Sequence, residues 1–293
     1  MSVSATQKGT LGYIAWDMQK TKQHEDKNED QNEGEKGRLI VVKQPIAPVL
    51  VSLESLKLPW KFKTLRPYIK AVGAFPTFVP ISEKINALNI LNVPNEHDFL
   101  IGGSTLSFLC SNNQKGYMAM LTGRGIAIVK TRKYLCDFNS HGLQFERMLT
   151  GDTSLGARSN LPWIRHESVN ELNIGDQRLV AFTECDAIDC NGNNVEIKKL
   201  NRSNSLPKLK TFMQILSSNS YVVQGTESDG FLCEIRKISI EELRPTNYDE
   251  MLSCIIANLQ ALKNIVTVPG VEYNIKTVNF HVMTENQHNP CSC

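Results

Sequence analysis

An α/β (α+β) domain with two mixed β-sheets flanked by helices is expected of this 293-residue chain. Three features point there. Short apolar runs are divided by tight turn signals such as Gly123-Arg124, Asn191-Gly192 and Ser228-Asp229-Gly230, as in paired strands. Two other stretches, 206–217 and 247–266, repeat their apolar residues at helical spacing. Strands and helices are interleaved along the chain. The 41% of apolar residues is enough for a buried core, and a 21% charged fraction with net charge +2 excludes both a disordered chain and a histone-like polycation.

The elements follow in order. Residues 17–36 hold almost no apolar side chain and carry net charge −3, leaving +5 on the remainder. Such a stretch cannot bury enough surface to offset its ordering, so a mobile acidic insert is expected. This sets residues 1–37 apart as an N-terminal segment and leaves 38–293 as one domain. Phe99–Cys110, Gly116–Thr122 and Gly125–Lys130 are expected as strands of a meander. A helix is expected over 139–150, capped by Asn139 or Ser140 and stopped by Gly151. Leu179–Cys190 and Asn194–Leu200 are expected to form a hairpin around Asn191-Gly192. The helix at 206–217 has Ser205 as its cap and Pro207 in its first turn. Tyr221–Gly225 and Phe231–Ile238 make another hairpin, 247–266 the longest helix, and Val271–Val282 a closing strand.

The chemistry lies in Phe182–Leu200, FTECDAIDCNGNNVEIKKL. Alternate side chains of a strand share a face, which groups Glu184 with Asp186 and Glu196 with Lys198. A two-residue turn would set Asp186 opposite Ile197. A three-residue loop through Asn193 pairs Asp186 with Lys198 and gathers all three carboxylates and the lysine on one surface, and this register is expected. Crowded carboxylates repel one another unless a cation sits among them, and hard oxygen donors suit Mg²⁺ or Mn²⁺. Such an ion activates water and neutralises charge on a phosphate oxygen, while a lysine stabilises developing negative charge. The layout is similar to that of PD-(D/E)xK nucleases. Alternating charges on a hairpin also describe an ordinary solvated sheet face.

The order of motifs resembles the decapping exoribonuclease (DXO, Dom-3-like) family, from about Asp98 to Val282. Its Gly-Φ-x-Φ-Glu motif matches Gly142-Leu143-Gln144-Phe145-Glu146, its Glu-x-Asp motif Glu184-Cys185-Asp186, and its Glu-Φ-Lys motif Glu196-Ile197-Lys198. Leu209–Gln214 resembles the helix bearing the family's active-site glutamine, and Tyr221–Gly225 with Asp229–Phe231 the hairpin after it. The resemblance implies a PD-(D/E)xK-nuclease-like core and a divalent-metal-dependent hydrolase of RNA 5′ ends. The implied activities are decapping, pyrophosphohydrolysis, removal of an NAD cap and 5′-to-3′ exoribonuclease action. It implies metal ligation by Glu146, Glu184, Asp186 and Glu196, with two ions, and contact of Lys198 and Gln214 with the scissile phosphate or nucleophile. The family's substrate-contacting arginine aligns with Gly103, and a guanidinium clamp has no neutral substitute, so reduced activity is the corresponding expectation. Arg124, Lys130 and Arg132 are the candidates to replace it. The SLGARSNLPWIRH loop around Pro162 and Trp163 also departs from the family pattern.

The competing expectation is an inactive relative that binds RNA 5′ ends or a protein partner. A DNA nuclease of the broader PD-(D/E)xK type is a third. Lys198, Lys199, Arg202, Lys208 and Lys210 form the main basic cluster, suited to an RNA backbone or to plain solvation of a loop. The histidines form no triad, with His141 at a helix start. Cys185 and Cys190 lack a second ligand pair for zinc, and Cys291-Ser292-Cys293 is expected to be a frayed tail rather than a lipidation signal. Eight scattered cysteines, no apolar run of membrane-spanning length and no signal-peptide pattern lead to the expectation of nucleus and/or cytoplasm, away from membranes; a monomer is expected.

Overall fold

The computed structural model describes residues 4–17, 38–72, 79–110, 116–131, 134–137, 139–151 and 164–275. The larger sheet contains β1 (Ala5–Asp17), β2 (Arg38–Val42), β5 (Phe99–Gly102), β6 (Tyr117–Thr122), β7 (Gly125–Lys130), β9 (Ile164–Ile174), β10 (Gln177–Glu184) and β15 (Glu272–Asn274). Their order is β15-β6-β7-β5-β10-β9-β1-β2. The smaller sheet contains β3 (Trp60–Lys61), β11 (Ala187–Ile188), β12 (Asn194–Asn201), β13 (Ser220–Ser228) and β14 (Phe231–Ile238), in the order β11-β12-β13-β14-β3. Both are mixed: β5 runs parallel to β7 and β10, and β12 runs parallel to β13. A separate antiparallel pair joins β4 (Ile69–Val72) to β8 (Tyr134–Asp137).

Helices cover the sheets. On one face of the large sheet, α1 (Ile81–Ile90) buries Leu88 against Leu100, Val180 and Phe182. The other face packs on α2 (Thr105–Leu109), α4 (Lys208–Ser218) and α6 (Tyr248–Ile265), through Phe212, Met213, Ile255 and Leu259, with α5 (Ile240–Leu243) at its margin. The small sheet packs on α3 (His141–Leu149) through Phe145, Leu149, Val195, Ile197 and Val223. These apolar stripes recur every three or four residues, which is what turns 208–218 and 248–265 into helices buried on one side. Among the described residues no helix is long and apolar enough to cross a membrane.

Several expectations need correction. Phe99–Cys110 is a short strand followed by α2, because only Phe99, Leu100 and Ile101 pair with β7 and the chain turns at Gly103-Ser104. Residues 5–17, assigned by composition to a separate segment, form β1 between β9 and β2, with Tyr13 to Trp16 buried. The acidic stretch 18–37 lies outside the described residues. Helix α4 begins after Pro207, which occupies the cap position in place of Ser205. Within the described part of the expected last strand, Glu272–Asn274 pairs with β6, and 276–293, with the Cys291-Ser292-Cys293 tail, is outside the described residues.

The expected hairpin of 179–190 with 194–200 is the main correction. β10 ends at Glu184 in the large sheet, the chain crosses over Cys185-Asp186, and β11 joins the small sheet. The register also differs, with Ala187 opposite Val195 and Ile188 opposite Asn194. The Asp189 carboxylate accepts from the Asn191 and Asn193 amides at 2.9 Å each, closing a loop two residues longer than expected. An even shift preserves which side chains share a face, so the surface grouping survives the wrong register.

Candidate metal centre

The carboxylates meet at the seam between the two sheets. β11 pairs only with Asn194 and Val195, leaving the next part of the β12 edge without a strand partner on that side. Asp186 fills the gap, its Oδ2 accepting from the Ile197 amide at 2.8 Å. This replaces the expected pairing of Asp186 with Lys198. Glu196 is 2% exposed and Asp186 half-buried, while Glu184 is exposed at the end of β10 and gives the site its opening.

Glu146 arrives from α3, which is held from three directions. Ser140 caps it by accepting from the Leu143 amide. The fully buried Gln144 donates to the Lys63 and Asn139 carbonyls and accepts from the Lys63 amide at 2.9 Å. Phe145 lies over Gly225, where an added Cβ would stand 2.6 Å from the ring and 2.7 Å from Leu232. Glycine therefore sets how closely α3 approaches β13, and with it the depth of Glu146.

The electrostatics are those of a crowded carboxylate site. Burial, then the charges of Glu184 and Glu196, pushes Glu146 up to about 8 against the pull of Lys198. Burial followed by Glu196 and Glu146 raises Asp186 well above the usual range. Burial raises Glu196 too, although Lys198 and Gln214 both oppose it. For Lys198 burial disfavours the ammonium, but Glu196 and Asp186 outweigh it and the pKa is raised. Lys198 Nζ is ion-paired with Glu196 Oε1, and Gln214 Nε2 donates to the same oxygen at 2.5 Å.

All six residues singled out from the sequence therefore converge: Glu146, Glu184, Asp186, Glu196, Lys198 and Gln214. The four carboxylates are hard oxygen donors, and the pKa values of Glu146, Asp186 and Glu196 are raised in part by neighbouring carboxylate charge, so the set fits a divalent cation in chemistry. They are not closed into a cage: among the described residues no group of three or more His, Cys, Asp or Glu side chains is arranged to hold an ion as it stands. In this arrangement Lys198 neutralises Glu196 and Gln214 donates a hydrogen bond to it.

The remaining candidates separate from the centre. Lys199, on the opposite face of β12 from Lys198, pairs with Glu227, so the expected basic cluster is divided between two faces. His141 stacks on Phe62 and bonds Glu227 at 2.7 Å through Nδ1. Cys185 is buried with its thiol pushed up to about 12, mainly by burial, and Cys190 is exposed. Gly103 sits at the turn after β5 with Thr183 3.2 Å from a Cβ built there. Arg124 is engaged away from the centre, donating to the carbonyls of Val93 and Pro94 and to Asn89. Arg132, Pro162 and Trp163 lie outside the described residues.

Sequence reasoning missed the supports. Beneath the seam a buried network joins Thr10, Ser168, Asn170 and Thr183, and Asn170 Nδ2 donates to Ser168 Oγ and Thr183 Oγ1 at 2.9 Å each. Asn194 extends it to the Ser218 carbonyl at 2.8 Å, and Ser218 returns to the Gln214 carbonyl at 2.9 Å. The end of β10 and the helix turn bearing Gln214 are thus tied together. Polar residues inside otherwise apolar strands were the available signal.

Solved structures carry the same fold. S. pombe Rai1 matches with a TM-score of 0.59 at 15% identity, covering 92% of this chain and 95% of that one. Scheffersomyces stipitis Rai1, solved with (3′-NADP)⁺ and a calcium ion, matches with a TM-score of 0.59 at 12% identity, covering 96% and 90%. Candida albicans Rai1, solved with pU5 and Mn²⁺, matches with a TM-score of 0.55 at 10% identity, covering 95% and 89%. No protein-family model and no curated protein matches by sequence. The chain has the Rai1 fold, the architecture that its motif resemblance to the decapping exoribonuclease family implies.

Proposed function

We propose that this protein is a divalent-metal-dependent hydrolase of RNA 5′ ends. The observation that carries the proposal is the convergence of Glu146, Asp186 and Glu196 with Lys198 and Gln214 at one seam, beside the exposed Glu184. Support comes from Rai1 structures of the same fold that were solved with a 5′-phosphorylated oligonucleotide and Mn²⁺, or with a dinucleotide and calcium. The four carboxylates would hold Mg²⁺ or Mn²⁺, which supplies water activation and neutralisation of phosphate charge.

The side chains divide the remaining work. Lys198, held charged by Glu196 and Asp186, moves to the phosphate oxygens once Glu196 is engaged elsewhere. The Gln214 amide, released from the same carboxylate, orients the nucleophile or a phosphate oxygen. Glu184, at the exposed mouth, positions water for attack. With Gly103 in place of an arginine clamp, substrate is held less tightly and turnover is slower.

One observation favours a second reading. The pairing of Lys198 and Gln214 with Glu196 occupies the two donors that would meet a phosphate, which favours a protein that binds 5′ ends without cleaving them. Turnover separates the two. The full chain with 5′-monophosphate, 5′-triphosphate and NAD-capped RNA should release 5′ products only with Mn²⁺ or Mg²⁺. Glu184→Ala and Glu196→Ala should lower the rate by at least about a hundredfold. Demonstrated metal binding without product from any of these RNAs rejects the hydrolase. RNA affinity that falls steeply with salt, in the absence of cleavage, supports the binding protein.

A further inference from the structure

A cavity of about 470 Å³ opens on the small sheet beyond Lys198, between β12, β13, β14 and the start of α4. Lys198, Gln224 and Arg236 lie in register across three strands, so their side chains leave the same face, and Gln224 and Arg236 line the cavity. Gln224 is 8% exposed, and its buried Oε1 has no hydrogen-bond partner. A buried amide oxygen is costly to leave unpaired, so Gln224 calls for a hydrogen-bond donor at this point. Arg236 and Lys208, both exposed, bring positive charge to the rim. Lys208 begins α4, whose Pro207 cap makes no side-chain bond, so the first-turn amides are free to meet an anion. The wall is apolar at Leu206 and Ile238. Glu242, the acid on the rim, is occupied by the Ser239 amide, to which it is bonded at 2.9 Å.

We propose that this cavity is a nucleotide subsite distinct from the carboxylate centre. The phosphate lies at the α4 N-terminus between Lys208 and Arg236. The base lies against Leu206 and Ile238 and donates an N–H to Gln224 Oε1. All four RNA bases carry such a donor, so the subsite distinguishes a base from its absence rather than one base from another. A nucleoside phosphate reaches it either free or as a unit of a bound RNA strand; only the second source rests on the RNA reading above.

The test is equilibrium binding to the full chain in EDTA, by calorimetry, of AMP, UMP, ribose 5-phosphate and inorganic phosphate. Both nucleotides should bind more tightly than ribose 5-phosphate. Arg236→Ala, at an exposed position that does not threaten folding, should weaken them about tenfold. Gln224→Leu should erase the advantage over ribose 5-phosphate. Glu184→Ala should retain binding, which separates this subsite from any failure of the hydrolase reading. A pentanucleotide that competes with AMP identifies the strand as the source; one that does not identifies the free nucleotide. Unchanged binding in Arg236→Ala, no binding of either nucleotide, or inorganic phosphate binding as tightly as AMP overturns the proposal.

Discussion

Replacing Gly225 with alanine tests how the fold sets the depth of Glu146. The new Cβ would stand 2.6 Å and 2.8 Å from two atoms of the Phe145 ring and 2.7 Å from Leu232 Cδ1. Both side chains are fully buried and neither ends in a flexible chain, so the ring cannot move without carrying α3 outward. Overpacking of this kind costs about 1–3 kcal/mol. For a chain of this size that lowers Tm by about 2–6 °C. The same displacement withdraws Glu146 from Asp186 and Glu196, so Mn²⁺ affinity should fall along with stability. Thermal melts followed by circular dichroism, with and without Mn²⁺, measure both effects. Phe145→Leu should partly rescue Gly225→Ala, giving a favourable coupling of at least about 0.5 kcal/mol in a double-mutant cycle. A Tm within about 1 °C of wild type, or strictly additive mutants, would refute the claim that this contact sets the position of the helix.

Two further outcomes concern charge. Glu146 is raised from 4.5 to about 8 in the folded protein, so the stability linked to it is complete below 4.5 and lost as pH rises through about 8. Metal-free wild type should lose Tm relative to Glu146→Gln over that interval, and added Mn²⁺ should narrow the gap; a gap that does not vary with pH contradicts the carboxylate cluster. Burial opposes the lowering of the Glu227 pKa, but Lys199 and His141 prevail, so its contribution is present above the ordinary value of 4.5 and lost as pH falls through the lowered one. Glu227→Gln should cost about 1–2 kcal/mol near neutrality and little in acid, as read from urea midpoints at several pH values.

Much of the centre could be read from local pattern, and where that reading failed the reasons are physical. The helix carrying Glu146 follows from a capping serine, an apolar spacing and a stopping glycine, all within a dozen residues. Gln214 likewise follows from the apolar stripe that makes α4 amphipathic. The path from Glu184 to Asp186 does not, because a strand that changes sheets keeps the apolar character of one that continues. The register at Asp186 was misjudged because a side chain, that of Asp189, closes the loop, and loop length cannot be counted from an Asn-Gly pair alone. Composition likewise obscured β1, whose apolar end abuts the acidic stretch.

By itself the sequence determined which residues are amphipathic, where most helices and turns fall, and that three acids and a lysine lie within one short span; these follow from backbone periodicity and turn chemistry, which act between near neighbours. Only the tertiary structure decided that the acids face one another across a seam between two sheets, that Glu196 is bound by Lys198 and Gln214, and that Gln224 is buried beside an empty space. Those outcomes depend on packing between residues distant in the chain, where a missing Cβ at Gly225 or a short β11 sets distances that no local pattern encodes.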